Sequence, residues 1–210
     1  MQITHLGHAC VLVEAGGARL LIDPGNFSTG WHQLGELDAI VVTHQHPDHF
    51  DPENVPALLA ANPEARVLLE PQLQARAGIG EPFQVDDSMM IGQVRLTAVG
   101  GRHAVIHDDI PRIGNTGVVI SASQEPTFFH PGDALDTIPG DIDVVAVPAY
   151  GPWAAMKETI EFVRAVKASE GFLIHEALLS ERGWKLTYDR LSEMTPTRFS
   201  DLRRGLPHQF

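Results

Sequence analysis

The run Ala39–Val42 (AIVV) passes with no intervening turn signal into Thr43–Asp51, THQHPDHFD, and no other junction limits the fold as strongly. Four apolar residues rich in β-branching read as a buried strand. Side chains on extended backbone alternate, so His44 and His46 leave the strand end on the same side. Pro47 ends the extended register and lets Asp48 and His49 swing towards a neighbouring position. Neutral imidazole and carboxylate are ligands for zinc, manganese or iron, and carboxylate can bridge two ions. A polar loop that merely collects histidines is the bland alternative. Four ligand-type residues in six positions, directly after a buried strand, weigh against it.

The flanking sequence reads as short strands at Gln2–Leu6, Cys10–Glu14 and Arg19–Ile22, with Gly16 and Gly17 turning a hairpin. A helix is expected near Pro52–Ala61, a strand at Arg66–Leu69 and a short helix from Pro71. Strands follow within Phe83–Gly100 and at Asn115–Ser121 and Thr127–His130. The β-branched run Asp143–Pro148 suits a strand covered on both faces. Met156, Ile160 and Val163 fall at helical spacing within Ala154–Ser169. Gly171–Glu176 is a further buried strand, and a last helix lies within Leu186–Met194. No linker divides the chain, so residues 1–210 are expected to form one α/β domain of two packed sheets with helices outside. Propensity alone also allows an open three-layer sheet.

Composition narrows the function. The formal net charge is −12, from 27 acids against 15 bases, and the nearest basic cluster is only Leu202–Gly205, LRRG. A nucleic-acid binder needs a basic footprint, because releasing counterions from phosphates drives its affinity. Nucleic acid is therefore not an expected partner. No apolar run approaches the roughly 20 residues of a membrane span, and MQITHLGHACVLVEAGG lacks the basic and apolar regions of a signal peptide. The single cysteine, Cys10, forms no internal disulfide and sits in an apolar strand. A cytoplasmic chain acting on a small molecule is the expectation, with a homo-oligomer left open.

The motif H-x-H-x-D-H after a strand, present as HQHPDH at His44–His49, resembles the signature of the metallo-β-lactamase superfamily. That resemblance implies a four-layer αββα sandwich, with two mixed sheets flanked by helices. It also implies further ligands at later strand ends, and VRLTAVGGRHAVIH supplies His103, with His107 four residues on. HPGD supplies Asp133, and GFLIHE supplies His175. Carried over, His44, His46 and His103 would hold one divalent ion and Asp48, His49 and His175 a second, with Asp133 bridging. Asp23 in LLIDPG would brace the metal loop, since an unpaired carboxylate at an apolar strand end is costly. His8 in LGHACVLVE and His130 in HPGD resemble segments of the branch typified by ascorbate-phosphate lactonase, and both are expected near the site. Tyr150 and Trp153 in VPAYGPWAAM would lie on the same rim, where they contact substrate or simply pack; Trp31 has the same ambiguity.

The resemblance implies hydrolysis by a metal-activated hydroxide. Two close cations lower the pKa of a water from about 15.7 towards 7 and polarise the scissile group. Asp48 and Asp133 would hold the nucleophile, and no serine nucleophile is needed because GxSxG is absent. Zinc is the first expectation for the two ions, with manganese or iron as alternatives. The bond is expected to be a lactone or ester in a small molecule, phosphorylated or not. Phosphodiester cleavage on a nucleotide, phospholipid or RNA is the runner-up, and a non-catalytic metal-binding protein is the reading outside enzymes.

Overall fold

The computed structural model describes residues 1–210 and contains two seven-stranded sheets. The first begins with β1 (Gln2–Gly7), β2 (Cys10–Ala15) and β3 (Ala18–Ile22), which form an antiparallel meander. From there β4 (Ala39–Val42), β5 (Arg66–Leu69) and β6 (Glu81–Pro82) continue in parallel. The second sheet opens with β7 (Ser88–Ile91), β8 (Val94–Gly100) and β9 (Thr116–Ser121), again antiparallel. Next come β10 (Phe128–His130), β11 (Val144–Pro148), β12 (Glu170–Ile174) and β13 (Arg198–Ser200), mutually parallel. The terminal β14 (His208–Gln209) returns to pair with β1, where Gln2 faces Gln209.

Strand periodicity explains the layers. In β2, β3 and β4 the residues Val11, Val13, Leu20, Ile22 and Val41 point inward, and they meet Leu96, Val118, Val144 and Phe172 of the other sheet. The intervening Cys10, Leu12, Leu21, Ile40 and Val42 point outward and pack with α1 (Val55–Ala61) and α2 (Pro71–Ala77). On the far side Val145, Val147 and Leu173 pack with α3 (Met156–Val166) and α4 (Glu181–Met194). The central strands β2, β3, β4, β11 and β12 thus have two buried faces, as their continuous apolar runs require. Burying one such side chain contributes roughly 1.5–3 kcal/mol, so the αββα sandwich is preferred over an open three-layer sheet.

Several boundaries differ from expectation. Helix α1 starts at Val55, because the Asp51 carboxylate captures the Glu53 and Asn54 amides in a turn first. Helix α4 starts at Glu181, five residues earlier than its apolar pattern suggests, because Ser180 Oγ accepts from the Gly183 amide and caps it. The short edge strands β6, β13 and β14 were not expected; none carries an apolar alternation long enough to be read. No helix is long and apolar enough to cross a membrane.

Candidate metal centre

All the ligand-type residues collect at one end of the sandwich. His44 to His49 follow β4, Asp23 follows β3, His103 follows β8, Asp133 follows β10 and His175 follows β12. His8 occupies the β1–β2 turn, which lies at the same end because β1 and β3 both run antiparallel to β2. His8, Asp23, His44, His49, His103, Asp133 and His175 are all at most 2 % exposed. Such a density of buried polar groups is costly unless partners satisfy it.

Two clusters emerge. His44, His46, His103 and Asp133 bring their ligand atoms within 4.8 Å of one another, and His8, Asp48, His49 and His175 do the same. The clusters adjoin through Asp133, whose Oδ2 lies 3.3 Å from His103 Nε2 and 3.2 Å from His175 Nε2. Its Oδ1 lies 3.2 Å from His49 Nε2. His44 Nε2 and His46 Nδ1 face each other at 3.1 Å.

The remaining ring nitrogens are anchored. His103 Nδ1–H donates to the Ala104 carbonyl at 2.7 Å, and His175 Nδ1–H to the Tyr150 carbonyl at 2.5 Å. His49 Nδ1–H donates to Asp23 Oδ2 at 2.7 Å. Asp23 also accepts from the Thr43 amide and hydroxyl, both at 2.8 Å. With its one proton spent on Asp23, Thr43 Oγ1 must accept from His44 Nδ1 at 3.0 Å. Acceptors on Nδ1 set the tautomer and leave Nε2 as a free lone pair directed into the clusters. His49 Nε2, His175 Nε2 and Asp133 Oδ1 are buried, convergent and without a hydrogen-bond partner. Divalent cations fit that set: neutral imidazole nitrogens, an ionised carboxylate between the clusters, and orphaned lone pairs that only a cation or proton can satisfy.

The carboxylates of the site also favour protons on two of these rings, a positive charge that a bound cation would otherwise supply. Burial works against protonating His49, but Asp133 and Asp23 beside it raise its pKa well above the ordinary value. His175 is raised against burial by Asp133. Burial would raise Asp133, yet the His49 and His175 charges hold it well below the usual carboxylate range. Asp48 is brought down to about 2, against burial, by the His8 hydrogen bond and the His49 charge. Burial depresses His44 strongly, and neighbouring His49 adds to this.

The loops hold unusual backbone. His8, Asp23 and His175 adopt left-handed conformations with φ of 52°, 51° and 60°. Such residues cost of order 1–3 kcal/mol each and persist where surrounding contacts over-determine them. Gly25 is required by close approach: a Cβ there would lie 1.8 Å from the Asp48 carbonyl oxygen. Gly132 has φ +61°, and a Cβ would meet Asn115 Oδ1 at 2.3 Å.

His8 sits deeper in the site than its sequence neighbourhood suggests. Its Nδ1 accepts from the Ala177 amide, so Nε2–H donates to Asp48 Oδ2 at 3.0 Å. Its carbonyl accepts from the His175 amide at 2.9 Å. Trp153 lines the mouth and donates from Nε1 to Asp133 Oδ2 at 3.1 Å. Tyr150 contributes its carbonyl, while its side chain is exposed. His130 does not join the site: its Nε2–H donates to the Ala9 carbonyl and its Nδ1 accepts from the Gly132 amide. His107, which the sequence leaves as either a pocket or a surface residue, is exposed and bonded only within its own loop, to Asp109. Trp31 is buried and donates to the Gly25 carbonyl, and Cys10 is core. Sequence reading missed Thr43 and Asn115. Asn115 donates to the Pro131 carbonyl and accepts from the Asp133 amide, clamping the Asp133 loop. A buried Asn at a strand start, in GNTG, is the only signal it gives.

Comparison with known proteins identifies the family. Residues 2–170 match the Beta-lactamase superfamily domain. "Protein Rv0786c" of Mycobacterium tuberculosis is 43 % identical over 207 residues, covering 96 % of both chains. A UPF0173 metal-dependent hydrolase of Aeropyrum pernix is 38 % identical over 191 residues, covering 80 % of this chain and 77 % of its own. The metallo-β-lactamase fold protein YhfI of Bacillus subtilis superposes with TM-score 0.75 at 14 % identity, covering 100 % and 99 % of the two chains. The metallo hydrolase Igni18 of Ignicoccus hospitalis gives 0.71 at 14 % identity, over 100 % and 97 %. The chain belongs to the metallo-β-lactamase superfamily and is one of its metal-dependent hydrolases.

Proposed function

We propose that residues 1–210 act as one hydrolase unit that holds two divalent ions and cleaves a lactone or ester bond in a small molecule. His44, His46 and His103 would hold one ion, Asp48, His49 and His175 the other, and Asp133 would serve both. Zinc suits this donor set, which manganese and iron share. The observation that carries the reading is the convergence of three buried, unpartnered ligand atoms, His49 Nε2, His175 Nε2 and Asp133 Oδ1, whose carriers are otherwise anchored. Bound ions would acidify a shared water and polarise the carbonyl oxygen of the substrate.

The chain's own residues do the rest. Trp153 Nε1–H fixes the Asp133 carboxylate, and His8 Nε2–H fixes that of Asp48. With its pKa at about 2, Asp48 stays ionised and orients the attacking water by accepting its hydrogen bond. The anchored rings hold the ligands against rotation, so little reorganisation is needed during reaction. Elemental analysis after reconstitution, together with a panel of lactones, esters and phosphodiesters, tests the reading. We expect about two ions per chain and lactone or ester turnover that a chelator abolishes and added metal restores. His46→Ala should abolish turnover with the fold intact, because His46 is only half-buried at the rim. A chain that takes up no metal, or turnover indifferent to chelation, would overturn the reading.

A further inference from the structure

The mouth over the clusters is a cavity of about 430 Å³, and no lysine or arginine lines it. Its outer wall is apolar: Phe27, Ile106, Leu178 and Trp153 stand around the ligand atoms of Asp48 and His175. Phe27, whose ring meets His8 edge-on at 5.0 Å, is still 44 % exposed, and Leu178 is 56 % exposed, so both present apolar surface at the mouth. The opposite side of Trp153 borders a second furrow of about 650 Å³, formed by Val105, Leu135, Ile138 and Phe162. The loop after His103 therefore sends Ile106 into the first cavity and its neighbour Val105 into the second. The tryptophan is the wall they share.

Charge along this path is predominantly negative. The second furrow carries Asp136, Glu158 and Glu161. Its one cation, Arg112, is already engaged by Asp136 at 3.1 Å and by the His103 carbonyl. A phosphorylated or carboxylated substrate arm would meet carboxylates and no free cation.

We propose that the substrate is a neutral ester or lactone bearing an apolar arm, which crosses Trp153 and lies in the furrow of Val105, Leu135 and Ile138. This rests on the hydrolase reading above, and it excludes the phosphorylated small molecules that the sequence left open. Cavities of this size accommodate a ligand of drug-like bulk, and their apolar lining supplies affinity while few polar groups fix orientation.

The test uses metal-loaded protein and two matched pairs. The first is γ-butyrolactone against γ-decalactone, which adds a hexyl arm. The second is cyclopentanone against 3-hexylcyclopentanone, which has the same shape and no hydrolysable bond. A half-buried methylene is worth roughly a twofold gain. The hexyl arm should therefore raise kcat/KM and, by calorimetry, ketone affinity at least about tenfold. Ile138→Glu should reduce both gains towards unity, Ile138→Leu should keep them, and Val105→Asp should repeat the loss. Ile138 and Val105 are 44 % and 54 % exposed, so both positions tolerate charge without unfolding. A phosphorylated hydroxymethyl lactone should be a poorer substrate than γ-decalactone. A hexyl ketone that binds no tighter than cyclopentanone, a gain indifferent to Ile138→Glu, or preference for the phosphorylated lactone would overturn the proposal. If no lactone or ester turns over but the ketone gain still depends on Ile138, the hydrolase reading fails and the apolar subsite stands.

Discussion

Asp23→Asn isolates the role of the aspartate beneath the metal loop. The substitution keeps shape and removes one charge from a fully buried residue that accepts three hydrogen bonds. The new amide can retain the Thr43 amide bond through its oxygen and place its NH2 where Oδ2 stood. Thr43 Oγ1 adapts, since a hydroxyl has two lone pairs and can accept from both the amide and His44. His49 cannot adapt. Facing a donor, its Nδ1 must become an acceptor, so the proton moves to Nε2 and closes the lone pair that faces Asp133. Loss of a hydrogen bond to a charged group is worth roughly 1.5–3 kcal/mol. At about 2–4 °C per kcal/mol for a chain of this size, the metal-free protein should melt roughly 3–12 °C lower. Affinity for the ion proposed at His49 should fall about 10–100-fold, while the ion proposed at His44, His46 and His103 should keep near-native affinity. Stepwise titration against a chromophoric chelator separates the two, and nitrogen NMR of the His49 ring reports the tautomer. Both ions bound at wild-type affinity would refute the argument that Asp23 acts by setting the His49 proton.

Other perturbations follow from the same geometry. His8→Phe keeps ring bulk and removes the Nε2–H that holds Asp48; second-ion affinity and turnover should both drop about tenfold or more, with the first ion unaffected by titration. Equal loss of both ions would mean that His8 acts only through the turn. Gly25→Ala drives a methyl into the Asp48 carbonyl, a backbone atom that cannot move aside as a side chain can, so soluble protein or bound metal should fall sharply; a variant with native metal content would contradict the contact. The metal-free protein should be most stable near pH 6.5. Below it, burial keeps His8, His44, His46 and His130 neutral in the fold while the unfolded chain takes up protons, so stability falls with pH. Above it, the raised His49 and His175 lose the protons that stabilise the fold. A melting temperature that climbs steadily from about pH 5 to about pH 8 would sink this account.

What could be read from the chain follows how local each cause is. The run AIVV and the six residues from His44 to His49 carry their meaning in consecutive positions, through strand alternation and the stop at Pro47. Both sheets are legible for that reason, whereas His103, Asp133 and His175 are reached only through the family resemblance that HQHPDH carries. Helix α4 extends five residues ahead of its apolar pattern because its start rests on a cap, Ser180 accepting from the Gly183 amide. Beyond its place in GNTG nothing local marks Asn115, which matters because the fold brings the β8–β9 and β10 loops together. His8 in GHA and His130 in HPGD both sit in short motifs of the resembled branch, yet they end in different roles. His8 stands where the β1–β2 turn meets the Asp48 and His175 loops, with ring and carbonyl both committed to them. His130 is the last residue of β10, turned towards the Ala9 carbonyl and one loop removed from the ligand atoms. Separating them needs the register of two sheets against each other, and that register is set by packing rather than by any short stretch of sequence. The apolar arm of the mouth is illegible for the same reason, since Val105 and Ile106 are adjacent in the chain but face separate cavities on either side of one indole.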